Sequence, residues 1–544
     1  MQRLLLFLLH ILITFSSVQA QMQPASPKHE VRAVWLTTIG GIDWPHSYAQ
    51  SQQGIERQQA ELRRLLDQYQ RVGINTVLLQ TRVRGTVIYP SQYEPWDGCL
   101  SGIPGRSPGY DALQYAIDEC HKRGMELHAW VVTIPVGKWN NTGCKTLRQK
   151  YPSLIKKIGP DGYMDPENPA TASYLAQVCE EITRNYDIDG IHLDYIRYPE
   201  TWKIKVSGNQ GRRYITGIVE AIHQKVKTLK PWVKMSCAPI GKFDDLSRYW
   251  SHGWNAYTKV CQDAQGWLRD GLMDALFPMM YFRDNQFFPF AIDWAEQSHG
   301  RIVAPGLGIY FLDPKEGNWR LQDVTREMSV LRQYNMGHTY FRGKFFTDNT
   351  QGIYDFALQF DRYLALVPPM TWEHRETPLA PTDIKVYGNG LSWQGHTPYY
   401  NIYSSRTWPV DISKAENLVA VRRQQSSLSL PTDGRYFAVT GMDRYGNESE
   451  PLQSYDAPRQ ARADIPLLAC DNKRVQLPPK GHELDADLVV IETLQGTIVA
   501  TRNYRGTHLN VGNLPNGYYV LKSLGRKGVT HRLGFFKIDR RAVR

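Results

Sequence analysis

Asp189-Gly190-Ile191-His192-Leu193-Asp194-Tyr195-Ile196-Arg197-Tyr198-Pro199 is a short apolar run that ends in ionisable groups. Side chains alternate along a strand, so Ile191, Leu193 and Tyr195 face one way and His192 and Asp194 the other. A carboxyl, an imidazole and a guanidinium where a strand enters a loop are costly as packing and useful as catalytic equipment. The bland alternative is a structural salt bridge between Asp194 and Arg197. The context of the run decides the fold.

From residue 31 to about 365, apolar runs alternate with amphipathic segments. The runs are Val31–Thr37, Thr76–Thr81, Glu126–Thr133, Gly190–Ile196, Val233–Pro239, Ala275–Tyr281, Ile302–Ile309 and Gly337–Phe341. Helical patterns fall near 55–72, 110–124, 170–186, 211–230, 256–270, 289–298, 320–334 and 352–365. Gly73, Gly124 and Gly337 stand where helix C-caps belong. Eight strands alternating with eight helices predict parallel βα units. Over this length they suit a (β/α)8 TIM barrel, with a doubly wound open sheet as the alternative. The loops after the strands are long and rich in Tyr and Trp, such as Tyr89, Trp96, Trp139, Trp250 and Trp254. Some of these aromatics stack on sugar faces in a glycan-binding barrel; the rest pin their own loops.

The 544 residues exceed what one core serves. Residues 1–20 read as a secretory signal, with Arg3, an apolar run from Leu4 to Phe15, and Val18-Gln19-Ala20 at the cleavage point. The expected location is therefore exported: periplasm or cell envelope, or secreted. No later segment is apolar enough to span a membrane. A Pro-rich joint around Pro368-Pro369, Pro378 and Pro381 closes the barrel domain, taken as 29–368. Residues 379–458 then read as short strands ending in Asp443-Arg444-Tyr445-Gly446-Asn447-Glu448-Ser449 and resemble a fibronectin type III module. Residues 462–544 read as a further β-sandwich, or as a domain similar to the C-terminal sorting domains of type IX secretion cargo. The fold class is thus α/β, a TIM barrel followed by one or two small β-sandwiches.

The formal net charge is +11, and residues 1–20 carry Arg3 and no acid, so the remainder carries +10. These charges are dispersed, which argues against a nucleic-acid arm. They suit an anionic surface such as a cell wall, or simply keep the chain soluble. The seven cysteines include no C-x-x-C and are too scattered for a disulfide framework, although Cys99 and Cys144 both lie in loop-like sequence and could pair.

In a barrel, strand C-termini face the substrate, which makes Asp194 a candidate nucleophile or cation stabiliser. Arg197 would favour its carboxylate form. The second carboxyl is open among Asp43, Glu94, Asp97, Asp284 and Asp313. Asp284, just past strand six, is preferred because strands four and six are next-but-one neighbours. A metal site built on His128, His192 and His338 lacks the usual ligand spacing. No cofactor or metal is expected.

An ordered set of motifs sharpens this reading. Glu30-Val31-Arg32-Ala33-Val34-Trp35-Leu36-Thr37-Thr38 with Asp43-Trp44-Pro45 comes first, then Gly73-Ile74-Asn75-Thr76-Val77, then Gln80-Thr81-Arg82-Val83-Arg84-Gly85 with Tyr89-Pro90-Ser91. Gly109-Tyr110-Asp111-Ala112-Leu113, His121 to Trp130, Asp189 to Pro199, and Pro278-Met279-Met280-Tyr281 follow. Together, over about residues 29–365, they resemble the glycosyl-hydrolase-like family 10, which includes a divisome-associated glycosidase of the enterobacterial envelope. The resemblance implies a (β/α)8 barrel, glycoside hydrolysis and peptidoglycan glycan strands as substrate, with envelope proteins as partners. It implies Asp194 as the leading catalytic carboxylate, with His192 and Arg197 as neighbours and Arg82 as a rim residue. Trp35, Asp43, Trp44, Tyr89, His128, Trp130, Tyr198 and Tyr281 complete the expected substrate-binding set. The family's Asn-Pro-Tyr-Arg stretch after strand three is replaced here by Thr133-Ile134-Pro135-Val136. The competing reading is a glycan-binding barrel without catalysis.

Overall fold

The computed structural model describes residues 25–251, 253–432, 435–454, 466–478, 486–494, 496–525 and 530–540. The signal-like segment 1–20 lies outside them. The chain divides into two compact units, Met1–Glu373 and His374–Arg544.

The first unit is a closed parallel barrel. Its strands are β1 (Arg32–Leu36), β2 (Thr76–Val83), β3 (Glu126–Val132), β4 (Gly190–Asp194), β5 (Lys234–Cys237), β6 (Ala275–Leu276 with Met279–Met280), β7 (Ile302–Val303 with Gly306–Leu307) and β8 (His338–Tyr340). Each pairs in parallel with the next. β8 returns to β1, with Ala33 opposite Thr339. Closure rules out the open doubly wound sheet. β6 and β7 are each interrupted at a proline, Pro278 and Pro305, which have no N–H to give the ladder.

Alternation sorts the strand residues into two cores. Val34, Leu36, Ile191 and Leu193 face the surrounding helices, while Ala33, Trp35, Trp130, Val132 and Phe277 pack inside the barrel. The connecting helices include α1 (Gln52–Arg71), α2 (Ala112–Lys122), α3 (Pro169–Asn185), α4 (Gly208–Leu229), α5 (Ala264–Arg269), α6 (Phe288–Glu296), α7 (Leu321–Gln333) and α8 (Ile353–Phe360). Several of their starts carry side-chain acceptors for otherwise unpaired N–H groups. Ser51 accepts from Gly54 N, Asp111 from Gln114 N and Ser207 from Gln210 N.

Gly73 and Gly124 adopt the left-handed conformation after α1 and α2, as a C-cap requires. Gly337 does not. Asn335 takes that role after α7, and Gly337 is needed because a Cβ there would collide with the Val31 backbone of β1. The stretch 256–270, read as one helix, is two short ones, Ala256–Lys259 and Ala264–Arg269, separated at left-handed Cys261.

An ionic network ties the lower end of the barrel. Arg332 bridges Glu30 and Asp361, Arg32 joins the same two carboxylates, and His338 Nε2 lies 3.1 Å from Asp361. At the upper end, the loop after β3 folds into a small antiparallel sheet of Pro135–Lys138, Asp161–Met164 and Ile155–Ile158. Cys99 and Cys144 are both free, each buried in its own packing site, so the pairing considered from their loop positions does not form.

In the second unit, a three-stranded sheet (Thr382–Tyr387, Gly390–Gln394, Ser427–Ser429) and a four-stranded sheet (Leu418–Arg423, Tyr399–Ser405, Tyr436–Met442, Leu452–Gln453) share a core of Leu391, Trp393, Ile402, Phe437 and Val439. A further four-stranded antiparallel sheet, built on Ala486–Thr493 and Gly517–Gly525, encloses Val489, Ile491, Leu521 and Phe536. No helix among the described residues is long and apolar enough to cross a membrane.

Candidate active site

A cleft of about 530 Å³ opens where β1, β2, β3, β4, β6 and β8 run into their loops. Asp194, the last residue of β4, lies in its wall and is 7% exposed. The register sets Val132 opposite Asp194 and Trp130 opposite His192 on the adjacent strands. The Trp130 indole N–H donates to Asp194 Oδ2 at 3.0 Å, and the Tyr195 backbone N–H donates to Oδ1 at 2.7 Å. Tyr195 itself is held at φ 52°, a conformation that strand residues rarely adopt and that turns the chain sharply behind the carboxyl.

Burial pushes the Asp194 carboxyl up from its ordinary 3.8 to about 6, against the pull of Arg197 and the two N–H donors. Arg197 does not pair with it directly. Its guanidinium instead meets Glu200 at 2.6 Å, donates to Tyr198 O, and lies 4.6 Å from the Tyr195 ring centre. The salt bridge considered for Asp194 is therefore absent, while the Arg197 charge does favour its carboxylate form, as expected, without offsetting burial. Glu200 also lines the cleft. Burial pushes its carboxyl up, but the Arg197 charge and hydrogen bond outweigh this and hold it below the usual glutamate range. Of the carboxyls in the cleft lining, Asp161 is paired with Lys138 at 3.0 Å, Asp194 is held above its ordinary range and Glu200 below its own.

Beneath them lies a buried polar chain. Trp35 Nε1–H donates to His192 Nε2 at 3.1 Å, and His192 Nδ1 lies 3.1 Å from Ser236 Oγ. With Nε2 accepting, the ring proton sits on Nδ1. Burial and nearby His128 lower the His192 pKa well below its ordinary value. His192 is therefore a neutral spacer inside the barrel.

Of the residues expected from sequence, Asp194, Trp130 and Tyr281 line the cleft. Asp284 does not. It is exposed on a short 3-10 turn and lies 3.5 Å from Arg326, because the chain after β6 turns outward before Asp284. Arg82 is no rim residue. It is fully buried, grips Glu94 through Nε and Nη2, and donates to the Val132 and Thr133 carbonyls. Tyr89 is buried with its hydroxyl on Glu181, and Trp44 is buried with its indole on Gln58 O. Tyr198 packs under Trp202. His128 pairs with Glu126, and Trp35 packs within the barrel. The imidazoles of His128, His192 and His338 belong to three separate networks.

Asp43 acts one step away. It accepts from Thr37 N and Oγ1, from Arg342 and from Lys344 N, and so holds Thr37 and Arg342 in the cleft wall. Glu94 serves Arg82. Asp97 caps the turn at Gly98–Ser101, and Asp313 accepts from Lys315 N. Tyr163, one of the aromatics of the long loop after β3, also lines the cleft, whereas sequence reasoning missed Glu200, Phe341 and Arg342 there. Glu200 had a legible signal in its spacing of three from Arg197. Tyr163 is delivered by the small antiparallel sheet built in that loop.

A closed βα barrel with a desolvated carboxyl at the end of β4 and an ionised one beside it is the framework of a glycan-acting hydrolase. The chain belongs to the glycosyl hydrolase-like 10 family, whose profile matches residues 30–214 and 208–311. The resemblance carried by the ordered motifs is confirmed by that match. Glycosyl hydrolase YngK of Bacillus subtilis is 29% identical over 507 residues, covering 82% of this chain and 97% of that protein. Glycosyl hydrolase DigH of Escherichia coli K12 is 28% identical over 287 residues, which span 46% of this chain and 65% of DigH. Among solved structures, the glycoside hydrolase domain of PgaB (BpsB) from Bordetella bronchiseptica superposes with a TM-score of 0.44 at 13% identity, over 62% of this chain and all of that domain.

Proposed function

We propose that this protein is an exported glycosidase that cleaves an envelope polysaccharide, with peptidoglycan glycan strands as the substrate. The observation that carries the reading is the pair of unlike carboxyls in one cleft. Asp194, desolvated and held by Trp130, protonates the leaving glycosidic oxygen. Glu200, kept ionised by Arg197, acts at the anomeric carbon, by direct attack or through a water. This reverses the role read from sequence, where Arg197 was to keep Asp194 charged. Tyr281, which stacks on Phe341 at 5.1 Å, and Tyr163 supply apolar faces for sugar rings on either side. The envelope location and peptidoglycan as substrate are supported by the signal-like residues 1–20, the positive charge and what the resemblance of the ordered motifs implies. The sandwich of residues 379–458 serves in this reading as a fibronectin type III-like accessory.

The test is to incubate the purified protein with intact sacculi, amidase-stripped sacculi, and neutral glucans, xylans and mannans, and to weigh the released sugars by mass spectrometry. Disaccharide-repeat products from stripped sacculi, lost in Asp194→Asn, are expected. Release from a neutral polymer alone would overturn the substrate. No release from any of them, with oligosaccharides still bound, would favour the non-catalytic glycan-binding alternative.

A further inference from the structure

A second cavity of about 600 Å³ adjoins the cleft, and Ile39 and Arg84 line both. Its polar lining includes His46, Tyr48, Asn140, Asn141, Thr142 and Asp97, whose carboxylate accepts from Cys99 N and Thr86 Oγ1. Tyr48 is 58% exposed and offers a ring to that cavity. The two spaces meet over the turn that joins the paired segments Arg82–Val83 and Thr86–Val87.

Arg84 is held on this ridge in an unusual way. Its backbone φ is +55°, in the left-handed region that disfavours any residue with a Cβ. Three glycines enforce the position. A Cβ at Gly143 would collide with the carbonyls of Arg84 and Gly85, and a Cβ at Gly137 would meet the Arg84 stem. Gly85 follows at φ +70°. Such a conformation costs on the order of 1 kcal/mol and persists only where surroundings over-determine it.

The stem of the side chain packs over Gly137, and its guanidinium meets no partner among the described residues. Among the described residues lining the two cavities, Arg84 is the one cation with no hydrogen bond or ion pair. Arg342 is bound to Asp43, and His46 to Glu61. Of the other arginines in the quoted motifs after β2 and β4, Arg82 is sealed on Glu94 and Arg197 is engaged by Glu200. Arg84 alone remains exposed and uncommitted. A planar guanidinium with free N–H groups fits a carboxylate in two-point contact.

We propose that Arg84 is a specificity-determining residue that binds a carboxylate carried by a sugar lying across the ridge, so that the cleft selects acidic glycans. The carboxylate could belong to a lactyl ether or to a uronic acid, which offer the guanidinium the same chemistry. This rests on the glycosidase reading above.

The test uses the full-length chain carrying Asp194→Asn, so that ligands stay uncut, and titration calorimetry. The ligands are lactyl-bearing glycan oligosaccharides, uronate oligosaccharides, and each series after reduction of its carboxyls to alcohols. The acid form is expected to bind about tenfold or more tighter than the reduced form in at least one series, as a charge-assisted pair predicts. Adding Arg84→Ala should bring that ratio close to one, and Arg84→Lys should restore part of it. The preference should also shrink as salt rises. Arg84→Asn, which tolerates left-handed backbone, serves as a second variant that folds if Arg84→Ala does not. An Arg84-dependent preference in either series supports the proposal and identifies the sugar. Equal affinity for acid and reduced forms in both series, or a preference that survives Arg84→Ala, overturns it. Turnover by the wild-type chain is read separately. Arg84-dependent binding without any cleavage would defeat the glycosidase reading and leave the carboxylate site standing.

Discussion

The indole of Trp130 on β3 donates to Asp194 Oδ2 on β4 at 3.0 Å, and among the described residues it is the one side chain that hydrogen-bonds this carboxyl. The bond exists because adjacent parallel strands stand in a register that points both residues into the barrel mouth. It favours the carboxylate form, so it moderates the effect of burial.

Trp130→Phe keeps the ring and removes the donor. We expect kcat to fall by about tenfold, in keeping with one lost hydrogen bond to a charged group. The loss should also raise the Asp194 pKa above about 6 and carry the alkaline limb of the rate profile with it. A fall in rate with an unmoved limb would show that the indole serves only to shape the wall.

The pH dependence of kcat/KM should be bell-shaped. Above about 6, Asp194 loses the proton it must donate, and the rate should fall about tenfold per pH unit. The acidic limb belongs to Glu200, whose carboxyl is held below the usual range. Initial rates across pH 3 to 9 (about one unit apart) check this, and a plateau that extends through neutrality would contradict it.

Stability should carry the same signature with opposite benefit. A carboxyl whose folded pKa is raised above its unfolded value binds its proton more tightly when folded. Stability is then lost as pH rises from about 4 to about 6. Asp194→Asn removes the ionisation, so it should be more stable than wild type above about pH 6, on the order of 2–3 kcal/mol. The gain should vanish below about pH 4. Thermal melts at the two extremes measure the difference.

Arg82→Lys tests the buried clamp. Lysine cannot reproduce the fork on Glu94 or reach both β3 carbonyls. It should lower stability by about 3 kcal/mol, as a broken buried ion pair does. Affinity for glycan should follow only the fraction folded. A selective loss of affinity in a fully folded variant would return Arg82 to the substrate.

Asp284→Ala should leave kcat/KM within about twofold, as for surface positions in general. Glu200→Gln should cost on the order of 10²-fold or more. The two variants measured side by side separate the carboxyl chosen from strand order alone from the one the cleft contains.

Much of the barrel was legible because strand and helix periods are local. The inward face of His192 and Asp194 follows from alternation, and the ends of α1 and α2 follow from Gly73 and Gly124. What was not legible is who pairs with whom. Arg82 reads as a rim residue until the loop after β2 folds back and places Glu94 on it, twelve positions along. Tyr89 reads as a sugar platform until α3 brings Glu181 to its hydroxyl. Asp284 sits close to a strand end in sequence, yet the chain turns outward before it. Arg84 illustrates the same limit from the other side. Its unusual backbone depends on Gly137 and Gly143, more than fifty residues away, which no local pattern connects to it.

The acid role of Asp194 is tested most directly by leaving-group dependence. The measurement is kcat/KM for wild type and Asp194→Asn on two glycosides that share the same sugar. One releases an activated phenol, which needs little protonation, and the other an ordinary sugar alcohol, which needs it fully. Asp194→Asn should lose about 10²-fold or more on the second and far less on the first. Equal losses on both would contradict the assignment and make Asp194 the group that acts at the anomeric carbon.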